Sequence, residues 1–280
     1  MRHRARIAVI ALIGLAVLSA CSGGATADPS AIKGSFDIGG RALYLECTGN
    51  GAPTIVMDSG LGNTHTTWAK VVPDLRGSNR TCTYDRANIG ASDEAPTPRT
   101  SADVVADLHL LLELAGVNPP FVLVGHSFGG LSVRLFASTH PGDVVAVVLV
   151  DAPPITFVED ECAIVDAGLC EKLRVGWQPS NNPEGLDLAG SGSEITAADP
   201  LPAVPLVVLA ATNHHQSAIT DAGFEKGIEA VWQRRQEELA ASVPGGRVQV
   251  VSSGHDIQLE HPEAVVAAIR SVLAGLPNAT

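Results

Sequence analysis

Aromatic side chains are scarce in this chain. Six Phe, three Trp and two Tyr make up 4% of its 280 residues, and no cluster of them forms an aromatic box that would identify a ligand. Positive charge is also in short supply. Lys and Arg number 18 against 30 Asp and Glu, for a formal net charge of −12; an acidic surface argues against nucleic acid or anionic lipid as partners. No two of the five cysteines have C-x-x-C spacing, and no histidine stands at ligand distance from them along the chain, so no metal site is read. No resident cofactor is expected either. Internal repeats and low-complexity tracts are lacking beyond one short N-terminal stretch. The apolar run Ile7 to Leu18 is too short to span a bilayer comfortably.

That run has a different reading. Arg2, Arg4 and Arg6 precede it and small residues follow, the pattern of an export signal. Leu18-Ser19-Ala20-Cys21 resembles the bacterial lipobox. The resemblance implies removal of residues 1–20, a lipid on Cys21 and anchoring to a bacterial cell membrane. Loss of residues 1–20 removes three arginines and no acid, taking the formal charge from −12 to −15. Residues 21–35, rich in Ser, Gly and Ala, then read as a flexible tether. The body, 36–280, has about 245 residues, enough for one well-buried domain. Without Cys21, the four remaining cysteines allow three pairings, and export favours disulfides.

Strand-length apolar runs recur at Ala42–Cys47, Thr54–Met57, Thr81–Tyr84, Phe121–Val124, Val145–Val150, Leu206–Ala210 and Arg247–Val251. Several are continuous rather than alternating, as parallel strands covered on both faces should be. Helical patterns lie between them. Thr100 to Asp103 opens one whose apolar face is Val104, Leu108, Leu111, Leu112 and Ala115, with Gly116 as its stop. Phe224–Ala241 and Pro262–Ala274 are two more. Strands alternating with helices predict a doubly wound, mostly parallel α/β sheet. The segment from about 152 to 203 breaks the rhythm, being rich in Pro, Gly, Asn and acids, and reads as a lid insertion. Cys162 and Cys170 fall inside it, where a local disulfide would stiffen the excursion.

The chemistry concentrates at Gly125-His126-Ser127-Phe128-Gly129. A serine between a buried strand and a following helix sits on a strained turn with its hydroxyl exposed, and the flanking glycines meet the crowding there. A serine hydroxyl needs an adjacent base. Of nine histidines, His255 alone combines a late position, a preceding strand and a tight Ser253-Gly254 lead-in. His126 reads as structural, His109 and His140 as surface or packing groups, His261 as a cap. His214-His215, with Asp221, could form half of a metal site only if adjacent histidines chelated one ion, which they rarely do.

Four landmarks in order resemble those of the α/β-hydrolase superfamily, over about Phe36 to Leu276. Met57-Asp58-Ser59-Gly60-Leu61-Gly62 is similar to its oxyanion loop, with Ser59 where a histidine is usual. Tyr84-Asp85-Arg86-Ala87-Asn88-Ile89-Gly90-Ala91-Ser92 is similar to its Asp-Arg-x-Gly-x-Gly-x-Ser turn, with Asn88 for the first glycine. The serine elbow and Ser253-Gly254-His255 complete the set. The resemblance implies an esterase- or lipase-like branch, with Ser127 as nucleophile, His255 as base, and the backbone N–H groups of Phe128 and Leu61 as the oxyanion hole. It also sets the strand of Cys47 beside that of Cys82, which implies a Cys47–Cys82 disulfide and leaves Cys162–Cys170.

The acid that should orient the base departs from the commonest pattern. The loop after Leu206–Ala210 holds no carboxylate before Asp221. Asp151 instead closes the apolar run Val148-Leu149-Val150, at the strand end where parallel-sheet sites gather, and is preferred to Asp221. The expected function is exported hydrolysis of a small acyl ester through an acyl-enzyme. An aminopeptidase or amidase, an acyltransferase, and a non-catalytic acyl-binding lipoprotein are the alternatives. Oligomeric state is not legible.

Overall fold

The runs without a polar face lie where both faces are covered. In the computed structural model, which describes residues 31–213 and 222–276, β3 (Thr54–Asp58), β5 (Phe121–His126), β6 (Val144–Val150) and β7 (Leu206–Asn213) occupy the middle of one sheet. Neighbouring residues of each strand enter different cores. Val56, Leu123, Val147 and Val208 pack on one side; Ile55, Val122, Val148 and Val207 pack on the other. With apolar partners on both faces, alternation disappears from the sequence.

Four further strands complete the eight: β1 (Ile32–Asp37), β2 (Ala42–Thr48), β4 (Thr81–Tyr84) and β8 (Arg247–Gly254). The order is β1-β2-β4-β3-β5-β6-β7-β8. The pairs β1–β2 and β2–β4 are antiparallel and all others parallel. Cys47 and Cys82 face each other in the β2–β4 register and are bonded. β1 was not expected as a strand. It begins four residues before the boundary drawn at residue 36, so the tether's last residues are pleated rather than free. Its burial alternates between half-buried and exposed, as on an edge strand with one face covered, and its short run Ile-Lys-Gly-Ser-Phe-Asp carries little apolar signal.

The helices, in chain order, are α1 (Val72–Leu75), α2 (Ser101–Leu114), α3 (Phe128–Thr139), α4 (Phe157–Cys162), α5 (Ala167–Gly176), α6 (Leu188–Ala197), α7 (Ala222–Ala241), α8 (Ile257–Glu260) and α9 (Pro262–Ala274). α2 and α3 cover the first core; α9 and the 3-10 turn around Trp68 cover the second. The architecture is thus the expected doubly wound α/β sheet. α2 starts as its sequence predicts, with the Thr100 N–H bonded to Asp103 Oδ2 at 2.9 Å. Among the described residues no helix is long and apolar enough to cross a membrane.

The segment 152–203, expected as a lid insertion, holds more regular structure than its composition suggests. α4, α5 and α6 all fall within 152–203. Their acids act as N-caps: Asp166 accepts the Leu169 N–H at 3.0 Å and Asp187 accepts the Gly190 N–H at 2.9 Å. These helices are short, and α5 buries no residue, so periodicity had nothing to register. The bonded pair Cys162–Cys170 ties α4 to α5. α6 docks on the start of α2, where Ser191 Oγ accepts the Ser101 N–H at 2.9 Å and Glu194 Oε2 the Ala102 N–H at 2.9 Å. The first-turn donors that a helix leaves unpaired are satisfied by the lid.

Candidate active site

Ser127 stands between β5 and α3 with φ 49° and ψ −123°, a conformation that an L-residue holds only when its surroundings force it. The surroundings are tight. A Cβ added at Gly125 would lie 2.5 Å from the Gly129 carbonyl oxygen, and one at Gly129 would run into the backbone of Asp58 and Ser59. The Ser127 N–H donates to the Val150 carbonyl at 3.1 Å, which moors the elbow to the end of β6. The side chain is neither buried nor fully exposed.

The residue after Val150 is Asp151, also at positive φ (45°). Its carboxylate is fully buried and drawn on from several sides. Oδ1 accepts the Ala211 N–H at 2.9 Å and the Trp232 indole N–H at 2.9 Å. Oδ2 lies 2.6 Å from His255 Nδ1. An ionised carboxylate only accepts, so Nδ1 carries the hydrogen and Nε2 is left as the basic nitrogen. His255 follows β8 directly. β6 and β8 flank β7, so the two residues meet across the carboxyl end of that strand. Ser127 Oγ makes no hydrogen bond among the described residues.

His126 lies beneath. Its ring centroid is 4.8 Å from that of His255, and it is buried. Gln258 Nε2 donates to Nδ1 at 3.2 Å, and Nε2 donates to the His255 carbonyl at 3.1 Å, one consistent neutral tautomer. Burial first, and His255 next, push its pKa down to about 3. It is a prop for the His255 backbone, as its place in the elbow suggested. His109 and His140 stack on each other at 4.3 Å, away from the site. His261 starts α9 without a side-chain cap bond; its ring pairs with Glu263 instead, at 3.0 Å, so the capping expectation is corrected.

On the opposite flank, neither the Leu61 N–H nor the Phe128 N–H has an acceptor among the described residues. Ser59, standing where a histidine was expected, turns its hydroxyl into its own loop and donates to the Thr64 carbonyl at 3.0 Å. Behind the loop sits a buried charge cluster that sequence reading missed. Arg86 donates Nη1 to Asp58 Oδ1 at 2.5 Å and Nε to Glu184 Oε2 at 2.7 Å, and all three side chains are buried. Glu184 comes from the lid, where its acid neighbours concealed it. Trp232 was also missed, since nothing near it in the chain points to β6.

A cavity of about 430 Å³ opens beside Leu131, four residues past Ser127 on α3. Pro153, Ile155, Phe157, Leu188 and Gly192 line it among others. Phe157 is among the residues that line the cavity, with Trp177 edge-on to it at 5.2 Å and Trp232 at 5.7 Å. Cys21, His214, His215 and Asp221 lie outside the described residues. No cluster of three His, Cys, Asp or Glu able to hold a metal occurs among the described residues.

Known proteins resemble this fold. Residues 53–166 match the family model described as the alpha/beta hydrolase fold. An uncharacterized Bacillus subtilis protein, YqjL, is 26% identical over 253 residues, which is 85% of this chain and 90% of that one. The crystal structure of the enol-lactonase from Burkholderia xenovorans LB400 is similar with a TM-score of 0.63 and 21% identity, over 86% of this chain and 100% of that one. A thermophilic esterase from Thermogutta terrifontis gives a TM-score of 0.60 and 21% identity, over 88% and 98%. At such identities the structural likeness is one of fold.

Proposed function

We propose that the chain, whose residues 53–166 match the alpha/beta hydrolase fold, is a hydrolase that cleaves small carboxylic esters through an acyl-enzyme on Ser127. The observation that carries the reading is the 2.6 Å contact between His255 Nδ1 and Asp151 Oδ2, at a strand end adjoining the elbow. His255 Nε2 takes the Ser127 proton as Oγ attacks the ester carbonyl. The carbonyl π electrons move to oxygen, which the N–H groups of Leu61 and Phe128 receive. His255 then returns the proton to the departing alkoxide, leaving an acyl-serine. Water repeats the cycle, with His255 taking its proton and Ser127 leaving as the free hydroxyl. Asp151 holds the tautomer and stabilises the imidazolium throughout. Each oxyanion donor is worth about 10²–10³ in rate.

The apolar wall of the cavity suits the acyl or alcohol portion of such a substrate. Ser127→Ala should abolish turnover of a short p-nitrophenyl ester and labelling by a fluorophosphonate probe. Unchanged hydrolysis in that variant would remove Ser127 from the reaction.

We propose further that the enzyme acts outside the cytoplasm, held to a bacterial membrane by a lipid on Cys21. The apolar segment before Cys21 supports this, and so do two disulfides in one chain. Cys21→Ser should move the protein from the membrane to the soluble fraction; continued membrane association would count against the anchor.

A further inference from the structure

Two peptide planes meet at Leu61, and a single ion pair pins both. Arg86 Nη2 donates to the Gly60 carbonyl at 2.7 Å, and Nη1 to the Ser59 carbonyl at 2.6 Å. Glu184 Oε1 accepts the Gly62 N–H at 2.7 Å. The pair itself is two-pronged, with Arg86 Nε and Nη2 each 2.7 Å from a Glu184 oxygen, the geometry that fixes a guanidinium in place. The Gly60–Leu61 peptide is trans, so its carbonyl and its N–H point in opposite directions. With the carbonyl drawn onto Arg86, the Leu61 N–H faces away from the guanidinium. The same guanidinium lies 5.4 Å from the ring centroid of Phe128, whose N–H is the second proposed donor.

We infer that Arg86 and Glu184 are positioning residues for the oxyanion hole, and that Glu184 makes its alignment depend on the seating of the lid. This rests on the proposed role of Ser127. A bland ion pair would explain less. Arg86 already has a buried counter-charge in Asp58, so a second carboxylate adds negative charge without being needed for neutrality. Burial pushes the Asp58 carboxyl upward against the pull of Arg86, and Glu184 adds only a smaller push in the same direction. What Glu184 adds is the grip on Gly62 and the link to the lid. Its own segment is stapled on both sides: Asn88 Nδ2 donates to the Glu184 carbonyl at 3.1 Å, Arg99 N–H to the Gly185 carbonyl at 2.8 Å, and Asn182 Oδ1 accepts the Leu186 N–H at 2.9 Å.

The test separates alignment from folding. Active sites are first titrated with a fluorophosphonate, and turnover of a p-nitrophenyl ester is then expressed per titrated site. Affinity for a trifluoromethyl ketone, whose tetrahedral adduct places an oxyanion in the hole, is measured alongside. Glu184→Ala should lower kcat per site by roughly 10- to 100-fold, a fraction of the loss from deleting a donor. KM should stay within about twofold, and ketone affinity should fall in parallel with kcat, as for an interaction made in the transition state. Glu184→Gln keeps an oxygen for Gly62 but loses the two-pronged pair, and should fall between. If Glu184→Ala does not fold, Arg86→Lys serves, since an ammonium cannot span both carbonyls and the carboxylate. Unchanged kcat per titrated site, or a loss confined to KM or to the number of sites, overturns the inference. A wild-type chain that takes no phosphonate at Ser127 fails earlier, at the nucleophile itself.

Discussion

Trp232 donates its indole N–H to Asp151 Oδ1 at 2.9 Å, from a helix 81 residues downstream of the strand end it serves. The buried carboxylate that faces His255 is thereby held by side chain and backbone together, since the Ala211 N–H reaches the same oxygen. Trp232→Phe removes this donor together with the five-membered ring of the indole, while keeping an aromatic ring at the position. It should lower kcat about tenfold with KM little changed, the cost of a hydrogen bond to a charged group of about 1.5 kcal/mol. Asp151→Asn should cost about 10⁴ in kcat, because it presents the wrong partner to His255 Nδ1. Asp221→Asn should cost little. Steady-state kinetics on the three variants would check the ranking, and a larger loss at Asp221 would move the acid.

His126 carries a second expectation. It is buried neutral, with its pKa held down near 3, while in the unfolded chain an imidazole titrates near 6.5. Below pH 6.5 the unfolded state takes up a proton that the folded state refuses, so stability is full above pH 6.5 and drains as pH falls toward 3. The slope from this one group is about 1.4 kcal/mol per pH unit. Denaturant unfolding of wild type and His126→Gln from pH 7.5 to 4 should show a flatter profile in the variant, although it starts less stable. Parallel profiles would mean that His126 takes up its proton at the same pH in the folded and unfolded chain.

Much of the fold was legible because its cause is local. The central strands announced themselves through continuous apolar runs, and α2 through Thr100, Asp103 and its apolar stripe. Asp151, singled out as an acid directly after such a run, lies against His255. The features that escaped depend on distance or on weak patterning. β1 is a half-exposed edge strand, and α5 is a helix with no buried face. Glu184 reaches Gly62 across 122 residues, and no spacing rule connects an acid in a loop-like segment with a glycine before α1. Asn88, which replaces an expected glycine, adopts φ 72° and keeps the turn by hydrogen bonds to Ala95 and Glu184; asparagine is among the residues that tolerate that region.

Glu161 sets an opposite pH trend in the lid. Burial raises its carboxyl to about 7, against a weak pull from the Trp177 indole N–H at 3.4 Å. A raised folded pKa means that the protonated form is favoured. Its stabilising contribution is complete below about pH 4.5 and is lost as pH climbs through 7. Glu161→Gln mimics the neutral acid at every pH. Thermal melts should find the variant more stable than wild type at pH 8, by on the order of 1 kcal/mol, and equal or slightly weaker at pH 4.5. A variant destabilised equally at both values would show that Glu161 is not titrating.

The Cys47–Cys82 bond closes a loop across β2 and β4, with a sequence separation of 35. Its thermodynamic effect acts mainly on the unfolded chain, and loop-closure entropy for such a span is about 3–4 kcal/mol. The Cys162–Cys170 bond spans 8 residues within the lid, so it confines the unfolded ensemble less and bears more on how α4 meets α5. The two bonds should therefore separate in their effects. Replacing Cys47 and Cys82 together by alanine should lower global stability by about the loop-closure figure, leaving kcat per folded molecule near wild type. Replacing Cys162 and Cys170 should cost less in global unfolding but raise KM, because Phe157, which lines the cavity, begins the helix that the bond restrains. Denaturant titration and ester kinetics on the two double variants would measure both. A lid variant with unchanged KM would mean that the contacts of Phe157 with Trp177 and Trp232 hold α4 in place without the bond.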